Sequence, residues 1–410
     1  MKKTKFNSFL LVGCVVLISV GFVFSQDWPQ WRGPNRDGKV VGFKVPEQWP
    51  DELTLKWKIP AGIGDSTPAL VGDKLFVFAR QDDDEVIICL NAQSGKELWK
   101  EEYAAIAVTG PPSRHPGPRS SPAVGEGKVV TIGVGGVLSC LDAATGKLLW
   151  RKDPFPEVVP QFFTSMSPII VDGMAIAHLG GKGNGAIIAY DLGTGDTKWQ
   201  WTEEGPEYSS PCLLTVEGTK QIVTLTEKSI VGIDVNDGKL LWQLPFVPER
   251  RQYNAATPII DGNTVIYTGA GRGTKAVKIE KQENGFTAKE IWSNDEIAVQ
   301  FNTPVLKDGM LFGLTERGNL FCIDRQTGKT AWLDSSQTDR GGFTAIVDVG
   351  PVILALPSSA ELIVIEPTSS KYTELARIKM SDKATYAHPV LAGSRIYIKD
   401  EDSIALWTID

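Results

Sequence analysis

The sequence predicts an all-β fold: an eight-bladed β-propeller of four-stranded antiparallel blades, closed into a ring by its two ends. Three observations carry this. A nine-residue phrase, Asp-x-x-Thr-Gly-Lys-x-x-Trp, recurs at intervals of 40 to 51 residues, and such a period marks one supersecondary unit copied many times. Eight units can be traced from their opening residues. The last unit ends one strand short, and the N-terminal region carries a spare one.

The elements follow in order. Lys2, Lys3 and Lys5 precede an apolar run from Phe9 to Phe24 that ends at Ser25. This is the pattern of a secretory signal peptide cleaved after Ser25, which places the mature chain in the periplasm or outside the cell. Leu11-Val12-Gly13-Cys14 resembles a lipobox, but the apolar run continues past Cys14, which favours the plain signal peptide. Residues 26–52 form a leader expected to pack on the propeller. From Leu53 to Ile59 an apolar stretch containing Trp57 supplies the spare strand, and residues 53–410 form the ring.

Each unit opens on a small or polar pair, usually followed by proline: Ser66-Thr67-Pro68, Ser120-Ser121-Pro122, Met166-Ser167-Pro168, Ser209-Ser210-Pro211, Ala256-Thr257-Pro258, Asn302-Thr303-Pro304, Thr344-Ala345 without proline, and Ala387-His388-Pro389. A short apolar strand follows, then a Gly-Asp or Asp-Gly hairpin turn, then two more strands. In the phrase itself, Asp bonds the turn backbone, Gly takes positive φ and Trp docks on the neighbouring blade. The docking series is Trp57, Trp99, Trp150, Trp199, Trp242, Trp292 and Trp332. The last unit stops after Ser403–Trp407, so the strand bearing Trp57 is expected to complete it and remove an exposed edge.

Composition narrows the function. Removing the signal peptide and its three lysines takes the formal charge from −7 to −10, which disfavours nucleic acid as a partner. Beyond the signal, no stretch is long and apolar enough to span a bilayer as a helix. Cys89, Cys140 and Cys322 share one repeat position, two residues before the phrase. Equivalent positions on different blades are too far apart for a disulfide, so these are packing residues.

The ring of tryptophan-docking repeats resembles the quinoprotein-type eight-bladed propellers. These comprise PQQ-dependent alcohol dehydrogenases and the noncatalytic BamB-type scaffolds of outer-membrane assembly. The leader Asp27-Trp28-Pro29-Gln30-Trp31-Arg32-Gly33-Pro34-Asn35-Arg36-Asp37-Gly38 looks like the start of exported PQQ-binding-like β-propeller repeat proteins. The dehydrogenases imply PQQ beneath two adjacent cysteines, a Ca²⁺ with Glu and Asn ligands, and a catalytic Asp. This sequence has no adjacent cysteine pair and no Cys-x-x-Cys-His haem site, so no catalytic residue carries over.

Hydrolytic and metal readings gain little. His115, His178 and His388 show no ligand spacing, and no acid/base pair of a carbohydrate-active enzyme stands out. Asp82-Asp83-Asp84-Glu85 reads as a solvated hairpin tip, and Gly180–Gly185 as a hairpin turn. What remains is the mouth of the channel, where the loops entering each unit carry arginines and aromatics. The candidate ligand-binding residues are Arg114, His115, Arg119, Phe163, Tyr208, Arg250, Arg251, Tyr253, Arg272 and His388, with Phe162 and Tyr386 beside them. The expectation is a monomeric, noncatalytic binding scaffold for an envelope protein or a glycan, with no cofactor and no metal. The alternative is a PQQ- and Ca²⁺-dependent, or degenerate, quinoprotein oxidoreductase.

Overall fold

A computed structural model describes residues 27–409. The expected signal peptide and Cys14 lie outside the described residues. The 32 strands form eight separate four-stranded sheets. Seven are sequential meanders: blades 1 to 7 span 69–104, 123–152, 169–201, 212–245, 259–294, 305–333 and 345–379. Blade 8 takes residues 390–408 and completes itself with β1, Thr54–Pro60, which pairs antiparallel with β32, Ser403–Thr408. The ring is closed by its two termini. Among the described residues the only helical element is a short 3-10 turn, Pro111–Arg114, and no helix is long and apolar enough to cross a membrane.

Blade-to-blade docking uses both halves of the repeated phrase. In blade 2, Asp142 Oδ1 accepts hydrogen bonds from Thr145 N at 2.8 Å and Thr145 Oγ1 at 2.7 Å. That turn puts Gly146 at φ 75°, flat against the ring of Trp99 from blade 1. Gly95 meets Trp57, Gly195 meets Trp150, Gly238 meets Trp199 and Gly328 meets Trp292 in the same way. Several of these indoles also donate to the receiving turn, as Trp199 Nε1 does to Val235 O at 2.8 Å. Blade 5 breaks the pattern because its long hairpin, closed at Gln282–Gly285, lacks the phrase. Trp242 therefore has no glycine to dock on, and its indole bonds Gln221 Oε1 of its own blade at 2.7 Å. Gly232 stands where other blades carry cysteine because that indole lies against its α-carbon.

The opening pairs have a role the sequence did not disclose. At five of the eight openings the hydroxyl of the second residue accepts the backbone N–H of the equivalent residue one blade earlier, while the Thr257 hydroxyl accepts from Trp31 of the leader. His388 N donates to Thr67, Thr67 N to Ser121, Ser121 N to Ser167, Ser167 N to Ser210, and Thr257 N to Thr303. These buried bonds of 2.9 to 3.1 Å form a belt around the channel. By contrast the first-position hydroxyls of Ser66, Ser120 and Ser209 have no hydrogen-bond partner among the described residues.

One expectation needs correcting. Asp82 and Asp83 are exposed at the hairpin tip, but Glu85 is buried between blades 1 and 2. It accepts from Tyr103 Oη at 2.5 Å and from Val134 N at 2.7 Å, and burial pushes its carboxyl above the usual range.

Candidate functional site

The two ends of the channel differ. From the end where the innermost strands terminate, the leader fills the bore. Trp28 bridges Leu70 of blade 1, and Pro29 O accepts from Val124 N of blade 2. Trp31 Nε1 donates to Thr257 Oγ1 of blade 5 at 3.0 Å, and its ring meets His388 of blade 8 edge-on at 4.6 Å. Arg32, fully buried, donates to Thr303 O at 2.8 Å and Pro304 O at 2.9 Å in blade 6. Arg36, also buried, donates to Pro168 O and, at 2.9 Å, to Pro211 O of blades 3 and 4. The chain then leaves along Asp348 of blade 7 and Gly393 of blade 8. The segment from Trp28 to Gly38 thus plugs one end of a bore whose inner wall presents backbone carbonyls. Two guanidiniums satisfy them without a carboxylate in hydrogen-bond contact, and burial pulls both arginine pKa values down to about 10.

At the opposite end, all eight entry loops meet around the mouth. His115 packs edge-on against Tyr386 at 4.7 Å, and Tyr386 against Phe343 at 5.4 Å. Phe343 stacks on Phe301 at 4.6 Å with the rings 5° from parallel. Phe301 continues to Tyr253 at 6.3 Å, and Tyr253 to Phe162 and Tyr208 at 5.2 and 5.8 Å. Arg119 closes the circle by donating to Phe162 O at 2.6 Å and His115 O at 2.7 Å. The entry loop of blade 1 adds Asp65, whose Oδ2 lies 3.0 Å from His115 Nδ1. Edge-to-face and offset contacts of this kind are the preferred geometry of aromatic pairs. The result is a half-buried aromatic collar whose rings are held by one another.

The candidate residues divide sharply within this frame. His115, Tyr208 and Tyr253 sit in the collar, and the hydrogen bond to Asp65 raises the His115 pKa above its ordinary value. Arg119 is committed to carbonyls. Arg272 is too: it bonds Phe246 O at 2.9 Å and Asn254 Oδ1 at 2.7 Å, lies over the Phe246 ring, and burial lowers its pKa to about 10. Arg114, Arg250 and Arg251 are exposed at the rim. Phe163, at φ 64°, turns away into a small cluster with Val108 and Val134, and Phe162 takes the place at the mouth. His388 is buried against Trp31 of the leader, where desolvation drives its pKa well below normal. His178 is likewise a buried strand residue, lowered to about 4 by burial. Asp65, Phe301 and Phe343 complete the mouth and lie outside the candidate set; the signal that marks the two rings is one ring-bearing residue in nearly every entry loop.

Among the described residues, no three His, Cys, Asp or Glu side chains come together to hold a metal ion. Cys89, Cys140, Cys212 and Cys322 are free, buried and in four different blades.

Residues 83–333 match the family described as outer membrane protein assembly factor BamB. A BamB of Moranella endobia is 25% identical over 309 residues, covering 70% of this chain and 71% of its own. A quinohemoprotein alcohol dehydrogenase of Comamonas testosteroni is 28% identical over 325 residues, covering 75% of this chain and 40% of its own. Among solved structures, BamB from Moraxella catarrhalis superposes with a TM-score of 0.65 at 15% identity, over 87% of this chain and 98% of that one. A europium-containing methanol dehydrogenase reaches 0.71 at 11% identity, over 94% and 98%. These structural likenesses establish the shared eight-bladed fold, and the sequence match over 251 of 410 residues places the chain within it: it belongs to the BamB family.

Proposed function

We propose that this chain is a noncatalytic, exported scaffold that recruits an envelope protein through the aromatic mouth of its ring. The observation that carries this reading is the collar: seven ring-bearing side chains from consecutive entry loops, with Phe301 and Phe343 still 39% and 38% exposed. Rigid aromatic groups at a rim with free arginines make effective interface anchors, since they offer large apolar area with little side-chain entropy to lose. The leader closes the other end of the bore, so the mouth is the concave face left open to a partner loop. The relatives named as assembly factors support protein binding as the class of activity, and together with the signal peptide expected from the sequence they support the envelope as its place.

The quinoprotein alternative draws on the Comamonas dehydrogenase.

Site-specific photocrosslinking tests the proposal in cells. A photoreactive phenylalanine at Tyr386 in the collar should trap a discrete envelope protein, whereas one at Leu98, exposed on the circumference, should not. Equal adducts from both positions, or none from Tyr386, would refute it.

A further inference from the structure

Beside the collar lies a cleft of about 320 Å³ at the junction of blades 5, 6 and 7. Its volume falls at the lower end of the range for small-molecule sites, roughly 300–1,000 Å³. The shape is fixed by the backbone. Gly271, at φ 67°, donates its N–H to Glu316 Oε2 at 3.0 Å and packs against the Gln252 amide. Gly341 packs as closely on the ring of Phe343, which in turn backs Phe301. Phe301 therefore presents a flat aromatic wall, backed on one side by the stacked ring of Phe343.

The polar groups around that wall are unspent. Arg251 and Arg317 are both exposed, and neither guanidinium has an ion-pair or hydrogen-bond partner among the described residues. This sets them apart from Arg119 and Arg272, whose donors are committed to carbonyls. Gln300 lines the same cleft with a free amide, and the Gln252 amide is oriented by accepting from Glu249 N at 3.1 Å. Glu316, anchored by Gly271, adds a fixed carboxylate that can accept from a hydroxyl.

Each part constrains the ligand. Two unpaired guanidiniums on a chain of net charge −7 call for an anion, best a carboxylate matched by their planar fork. A flat aromatic wall calls for an apolar face. A carboxylate acceptor and free amides call for hydroxyl groups. An acidic peptide meets the first demand and can donate backbone N–H groups to Glu316, but a chain of glutamates has no apolar ring face to lay on Phe301. A pyranose ring bearing a carboxylate meets all three. We propose that this cleft is a binding site for an acidic saccharide whose terminal unit is a hexuronate. The cleft shares Phe301 with the collar, but saccharide binding and protein recruitment are read by different experiments, so each proposal stands or falls on its own.

Titration calorimetry on the full mature protein tests it with defined probes: trigalacturonate and triglucuronate, the neutral galactotriose, and a triglutamate peptide. Saturable binding of at least one uronate is expected, with neither the neutral sugar nor the peptide binding comparably. Arg251→Gln, Arg317→Gln and Phe301→Leu should each weaken it about tenfold or more, the loss expected for a charge-assisted or stacking contact. Lys147→Gln, on a turn of blade 2, should leave it unchanged. No saturable binding of either uronate up to about 10 mM, equal binding of galactotriose or triglutamate, or wild-type affinity in all three cleft variants would overturn the proposal.

Discussion

Arg32→Met is the sharpest probe of how the leader contributes to the ring. Methionine keeps most of the buried stem but removes the guanidinium. Arg32 makes two short bonds into blade 6, at 2.8 and 2.9 Å, and two longer ones to the leader's own carbonyls, Asp37 O at 3.2 Å and Arg36 O at 3.4 Å. A hydrogen bond to a charged donor contributes about 1.5–3 kcal/mol net, so the two short bonds alone are worth about 3–6 kcal/mol. The variant also escapes the desolvation that lowers the arginine pKa to about 10, which offsets part of that loss. We predict a net destabilisation of about 3–4 kcal/mol, because the carbonyls of Thr303 and Pro304 stay buried without a donor. In urea, with a slope of about 3 kcal/mol/M, the unfolding midpoint should fall by about 1 M. Lys147→Ala, exposed, should move it by less than about 0.2 M. A midpoint for Arg32→Met as close to the parent as that would refute the view that the leader is an integral part of the core.

Three further outcomes can be checked in the same way. Ser121→Ala removes the acceptor of the buried Thr67 N–H and should cost about 1–3 kcal/mol in urea unfolding; Ser120→Ala, deleting a hydroxyl without a partner, should leave stability unchanged or slightly higher. Gly146→Ala combines φ 75° with a β-carbon driven into the Trp99 ring, for a loss of about 2–4 kcal/mol. Gly127→Ala, at φ 73° with open space around it, should lose only about 1 kcal/mol. In an NMR titration His115 should protonate above pH 6.5, and Asp65→Asn should lower its midpoint; its raised pKa makes the pair stabilising below pH 6.5 and progressively lost as pH rises through the midpoint. His178 should stay neutral down to about pH 4, so its contribution has the opposite sign and declines as pH falls from 6.5 toward 4.

The ring was legible in the sequence because each blade repeats the same local chemistry. Asp142, Gly146 and Trp150 show one turn and one docking strand, and five copies of that phrase together with eight blade openings leave little freedom in the architecture. Closure by β1 was legible for a related reason, as a missing fourth strand at one end and a surplus one at the other. The leader's path was not legible. Arg32 and Arg36 find their carbonyl partners 131 to 272 residues away, and nothing local marks which carbonyls line a bore. The mouth was partly legible as a zone, but its residues were assigned by proximity to proline. A positive φ at Phe163 was enough to exchange it with Phe162, and burial separated Arg119 and Arg272 from the exposed Arg251. Glu85 was misread because its three acidic neighbours are solvated and it is not.

The leader's contacts also bear on how such a ring can change over time. Propellers grow and shrink by duplicating or deleting whole blades, and identical docking surfaces make each step locally acceptable. Here one short segment touches every blade, with Trp28, Pro29, Arg36, Trp31, Arg32, Val40 and Lys44 each matched to a position around the circumference. A ninth blade would widen the bore and pull those partners apart together, and a seventh-only ring would leave the segment nowhere to lie. The leader acts as a gauge of circumference, cut to the width of an eight-bladed ring.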